Sequence, residues 1–211
     1  MKKLALIAVA FVATTTLSMA AIGGSAHDFS GTAWTNEICA PCHVPHKSAG
    51  GTYGYLWDHE VTTANHTVYY RTGMHNADPN GAPTGADTTS ILCLSCHDGT
   101  VSVDAFGGVT PGTSNIDSYN RGGAETAGYA DLGIALGNDH PINVSLTTAE
   151  TNDSAGYKDV TTAEGLGIVT ESGLVTCASC HDVHNNGAAG APKLLRINNN
   201  GSNLCLACHT K

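Results

Sequence analysis

One five-residue pattern, Cys-x-x-Cys-His, occurs four times: Cys39-Ala-Pro-Cys42-His43, Cys93-Leu-Ser-Cys96-His97, Cys177-Ala-Ser-Cys180-His181 and Cys205-Leu-Ala-Cys208-His209. The repeats use all 8 cysteines, so none is left for an ordinary disulfide. Two thiols at this spacing can form thioether bonds to the edge of a haem. The adjacent imidazole then meets the iron from one face, which makes the pattern the attachment signal for c-type haem. Zinc pairs need no His directly after the second Cys. A dithiol enzyme needs one active pair, not four. The sequence therefore predicts four covalently bound haem c groups. Cys39, Cys42, Cys93, Cys96, Cys177, Cys180, Cys205 and Cys208 would hold the macrocycles, with His43, His97, His181 and His209 on the irons.

A sixth ligand for each iron must come from elsewhere. Of the 11 histidines, seven lie outside the motifs: His27, His46, His59, His66, His75, His140 and His184. Bis-His coordination is the default expectation. His46 and His184 each follow a motif His by three residues, on the same side of a helical turn. That position cannot serve the motif's own iron, because the two axial ligands approach opposite faces. It can serve a second haem lying alongside. His140 is held in a turn by Pro141. His59 follows Leu56-Trp57-Asp58, where Asp58 or Glu60 could orient a ring N–H. His27 lies in the arm before the first motif, within reach of its own subunit or a neighbour. The expected distal ligands are thus His46, His184, His140, His59 and His27. His66 and His75 read as surface residues, and Met74 is a weak alternative that would raise its haem's potential.

The elements that must position these residues are short. Gly makes up 25 of 211 residues and aromatics only 6%. Such a chain gains little apolar burial against its ordering entropy. The fold class expected is mostly irregular, with small helices, short strands and no large regular core, packed around rigid porphyrins. The haem-free chain is expected not to fold. Thr67–Tyr70 and Thr100–Val103 read as short strands. Thr147–Asn152 and Thr161–Leu166 read as short helices with Thr caps, and Asp98-Gly99 as a turn. The first and third motifs share C-A-x-C-H-x-x-H, and the second and fourth share C-L-x-C-H. This alternation predicts two dihaem modules, about 27–140 and 141–211, within one tetrahaem domain spanning 21–211.

Residues 1–20 read as a signal peptide: Met1-Lys2-Lys3, an apolar run to about Leu17, then Ser18-Met19-Ala20. Gly24-Ser25-Ala26 offers a second cleavage site. The apolar run is too short to span a bilayer comfortably, so no membrane insertion is expected after cleavage. The formal net charge is −9. That balance disfavours nucleic acid and anionic lipid. It fits an exported protein that meets cations, metal oxides or basic partners.

The chain resembles the multihaem c-type cytochromes of metal-reducing bacteria, in particular the OmcE-type tetrahaem, filament-forming extracellular cytochromes. The carriers are His27-Asp28-Phe29-Ser30, Cys39 through His46, Leu56-Trp57-Asp58-His59, Cys93 through Gly99, Asn138-Asp139-His140-Pro141-Ile142, Cys177 through His184, and Asn203 through His209. The resemblance implies bis-His haems in a continuous stack, and a subunit that lends a sixth ligand to the next in a head-to-tail homopolymer. The expected function is electron transfer, not enzymatic catalysis. Other cytochromes would act as donors, and extracellular metal oxides or partner cells as acceptors. A monomeric periplasmic shuttle is the alternative.

Overall fold

A computed structural model describes residues 22–45, 54–69, 89–109, 112–116, 130–184 and 194–210. The expected leader, His46, Met74 and His75 lie outside them. Among the described residues regular structure is sparse, as the composition requires. The strands are β1 (Thr67–Val68), β2 (Ala135–Leu136), β3 (Val144–Ser145) and β4 (Leu174–Val175). The helices are α1 (Ser90–His97), α2 (Leu146–Asn152), α3 (Val160–Gly165), α4 (Cys177–Cys180) and α5 (Asn203–Leu206). β1 pairs with β2 in parallel and β3 with β4 antiparallel, each as a two-stranded ribbon.

The local chemistry explains the element boundaries. Ser145 caps α2 by accepting from the Thr148 N–H at 3.1 Å, and Asp159 caps α3 by accepting from Thr162 N–H at 2.9 Å. The helices expected to begin at Thr147 and Thr161 thus start one residue earlier, on stronger caps than Thr. The strand expected at Thr100–Val103 is instead bends and a turn. Thr100 is captured by the side chain of Asp98, whose Oδ1 accepts from its N–H at 2.8 Å and its hydroxyl at 2.7 Å. Such local bonds compete with strand pairing. Gly99 turns the chain there with φ 71°. A Cβ at that position would meet Asp131 Oδ2 at 2.5 Å.

The main apolar cluster is small. Leu146, Ala163, Ile168, Val175 and Ala207 are buried together, with Val144, Tyr157, Val160, Ile197, Leu204 and Cys208 around them. It joins α2, α3 and the β3–β4 ribbon to the fourth motif. Helix α1 buries Ile91 and Leu94 separately. Its Ser95 hydroxyl bonds back to Ile91 O and accepts from Thr62 N–H.

Candidate functional site

Each motif closes on itself before it meets the rest of the chain. His43 N–H donates to Cys39 O at 2.8 Å, His181 N–H to Cys177 O at 3.0 Å, and His209 N–H to Cys205 O at 2.9 Å. One helical bond therefore gathers both sulfurs and the imidazole on a single turn. In the second motif the same five residues form the end of α1.

Three of the four motifs then share a frame that motif lettering does not reveal. His43 bridges to Trp57, His181 to Leu195 and His209 to Tyr157, all antiparallel. In each case the residue after the bridging partner donates to the second Cys carbonyl: Asp58 to Cys42 at 3.0 Å, Arg196 to Cys180 at 2.8 Å, Lys158 to Cys208 at 2.8 Å. The residue after each His donates back across the bridge: Val44 to Leu56 O, Asp182 to Leu194 O, Thr210 to Gly156 O. The second motif is held differently, by Leu132 N–H on His97 O at 2.7 Å. The backbone thus sets motifs one, three and four together and motif two apart.

Six of the described histidines come in three pairs. His43 lies 6.1 Å from His184, ring centre to ring centre, with planes 16° apart. His97 lies 5.9 Å from His27, and His209 lies 6.4 Å from His140. Each pair joins one motif His to one His outside the motifs. Two imidazoles sharing a metal along one axis, with bonds of about 2.0 Å, put their ring centres about 6 Å apart. At that spacing each pair would hold an iron between one motif imidazole and one other. The arm brings His27 to His97 of its own chain, anchored by Phe29, Trp34 and Phe106 in edge and tilted ring contacts.

Ring orientation agrees. Nδ1 of His43 bonds to Tyr55 O and Nδ1 of His97 to Ala130 O, both at 2.7 Å, and Nδ1 of His140 bonds to Pro141 O at 2.9 Å. A carbonyl only accepts, so Nδ1 carries the proton and Nε2 keeps its lone pair for a metal. His27 Nδ1 is buried with no hydrogen-bond partner. An unsatisfied buried polar atom costs about 1–3 kcal/mol, a cost that a metal would remove only by bonding to Nδ1 itself. Burial, with His97 and His181 nearby, pushes the His27 pKa down to about 4. Burial also lowers His97 and His209. These rings are held neutral, the form that ligates.

The sulfurs are crowded. Burial first, and Cys39 second, push the Cys42 thiol up to about 11. Burial likewise raises Cys180 to about 11. Thiols so raised are poor nucleophilic dithiols. Cys93 and Cys177, from different motifs, lie within hydrogen-bond reach of each other. Their interaction raises Cys93 and lowers Cys177.

Two residues sit otherwise than the sequence indicates. His66 is not a surface residue. It is 4% exposed, and its Nε2 meets Asp98 Oδ2 at 2.9 Å with both side chains fully buried. The partner is 32 positions away, and no local pattern announces it. His59 is buried, and its ring is oriented by the Glu60 backbone carbonyl at 2.7 Å rather than by a carboxylate. The Asp58 carboxylate accepts instead from Gly107 N–H. His59 Nε2 lies 3.1 Å from Ser102 O and 3.4 Å from Cys96 Sγ. It stands against a thioether position, not against a motif His ring.

Residues 169–211, which hold the third and fourth motifs, match the family described as the doubled CXXCH motif. With four such motifs on the chain, the cofactor class is decided. The four motifs are those of a multihaem c-type cytochrome. None of the curated proteins matches the chain. Cytochromes of this type carry haem c covalently, transfer electrons and are loaded with haem beyond the cytoplasm. Among the described residues no helix is long and apolar enough to cross a membrane.

Proposed function

We propose that this chain is a tetrahaem electron carrier in which both axial positions of every iron are closed by histidine, and that it is not an enzyme. The observation that carries this reading is the set of ring pairs: His43 with His184, His97 with His27, and His209 with His140. His184 follows the third motif and stands beside the His of the first. By the same offset of three residues, His46 after the first motif is assigned to the iron at His181. His59, the fifth nominee, is left as a packing residue beside Cys96.

A bound haem supplies a one-electron couple at its iron. The chain supplies the rest. Its cysteines fix each macrocycle edge, carbonyls of Tyr55 and Ala130 hold motif rings in one tautomer, and paired imidazoles leave no coordination position open to a substrate. Potentials are then set by ligand type, burial and hydrogen bonding.

For the whole assembly, we propose a head-to-tail homopolymer outside the cell. It would pass electrons from donor cytochromes to metal oxides or partner cells. Support comes from the resemblance to filament-forming cytochromes and from the −9 charge, which suits cationic or oxide acceptors. Electron microscopy of purified holoprotein tests it. Filaments are expected, and monodisperse particles at high concentration would leave the periplasmic shuttle. Carbon monoxide added to the reduced protein tests ligation, with no rapid binding expected. Stoichiometric binding would point to a haem reductase.

A further inference from the structure

The second and third motifs touch through a clasp that neither the haem count nor the ligand pairs explain. Helix α1 and helix α4 meet near their first residues. Glu171 lies between them, 82 positions from Thr89. Its carboxylate accepts from Thr89 N–H at 2.9 Å on Oε2 and 3.2 Å on Oε1, and also from the Thr89 hydroxyl. The same Oε1 accepts from the Thr176 hydroxyl at 3.4 Å. Thr89 precedes α1 and Thr176 precedes α4, so a single side chain ties both starts. A second tie runs in parallel: Ser90 Oγ, fully buried, accepts from Cys177 N–H at 3.1 Å.

Glu171 is itself held. It exchanges backbone hydrogen bonds with Leu174, N–H to O at 3.0 Å and O from N–H at 2.9 Å. That tight turn needs Gly173 at φ 83°, where a Cβ would meet Thr147 Oγ1 at 2.9 Å. The carboxylate therefore projects from a fixed point. The result of both ties is that α1, with Cys93 one turn in, and α4, which begins at Cys177, are held together at their starts. The sulfur of each Cys becomes the first thioether of its motif. Holding these two attachment points together would hold the haem edges they carry near one another.

We propose that Glu171 is a positioning residue, assisted by Ser90, that holds the haem edges of the second and third motifs in contact and so sets the electronic coupling between them. The inference rests on the tetrahaem reading above. It assigns a junction: electrons moving between the α1 haem and the C-terminal pair cross at Cys93–Cys177.

The test is the Soret circular dichroism of holoprotein, where two haems in fixed contact give a bisignate band. Wild type, Glu171→Ala, Glu171→Gln and Ser90→Ala are compared at equal haem content, each counted by intact mass. Glu171→Ala is expected to weaken the coupled band, the remainder coming from the other haem pairs, while keeping four haems and an unchanged low-spin spectrum. Glu171→Gln, which keeps an acceptor at the same reach, is expected to retain it. An unchanged band in Glu171→Ala overturns the proposal. Where Glu171→Ala yields no holoprotein, Ser90→Ala decides: a weakened band supports the clasp and an unchanged one overturns it. Wild type with four haems and no coupled band also overturns the clasp but leaves the tetrahaem reading standing. Wild type with fewer than four haems refutes the reading itself.

Discussion

His184 and His66 show how differently two histidines can be legible. His184 is readable because its offset from His181 is local, and the structure sets it beside His43. Replacing it with Ala should open one iron in four. Carbon monoxide should then bind the reduced protein at one equivalent per chain, and a high-spin signal should appear. His66 is unreadable because the residue that gives it meaning, Asp98, is distant in sequence. His66→Leu leaves the Asp98 carboxylate buried with its remaining donors from Thr100 and Thr62. Losing one hydrogen bond to a buried carboxylate costs about 1–3 kcal/mol. Thermal unfolding of the holoprotein should show this as a fall in Tm with the haem count unchanged. The same contrast covers Glu171: nothing near it in the sequence points to Thr89.

Short elements here are decided by side chains that seize the backbone, and this is where sequence periodicity runs out. Thr100–Val103 alternates like a strand, yet Asp98 captures Thr100 and the segment bends. Gly99→Ala should be destabilising by about 1–3 kcal/mol, because it adds strain at positive φ and a clash with Asp131. Chemical denaturation would show a lower midpoint. Asp104 organises the next loop by accepting from Thr113 and Ser114 N–H at 2.9 Å. Burial alone would raise its pKa, but the bonds from Ser114 and Thr113 outweigh it and hold the carboxyl below its ordinary 3.8. A folded pKa below the unfolded one means the stabilisation is complete above about 3.8 and lost as pH falls through the lower value. Asp104→Asn should therefore lower stability at neutral pH and flatten the loss between neutral and strongly acidic pH. Urea midpoints measured across that range check it.

At the scale of the whole molecule, composition already indicates that protein contacts alone are thin. The main buried cluster has Leu146, Ala163, Ile168, Val175 and Ala207 at its centre, while Gly supplies 25 residues of 211. The irregular fold class was legible for that reason. The shared frame of motifs one, three and four was not, because its partners Trp57, Leu195 and Tyr157 have no common sequence mark. Protein made without haem attachment should lack a cooperative thermal transition, whereas the holoprotein should show one. The proposed function rests on four irons, each held between two imidazoles. Near-infrared magnetic circular dichroism of the oxidised protein, scaled to chain concentration, measures this directly. Four low-spin bis-histidine haems per chain are predicted; fewer than four, or a high-spin or thioether-ligated component, would contradict it.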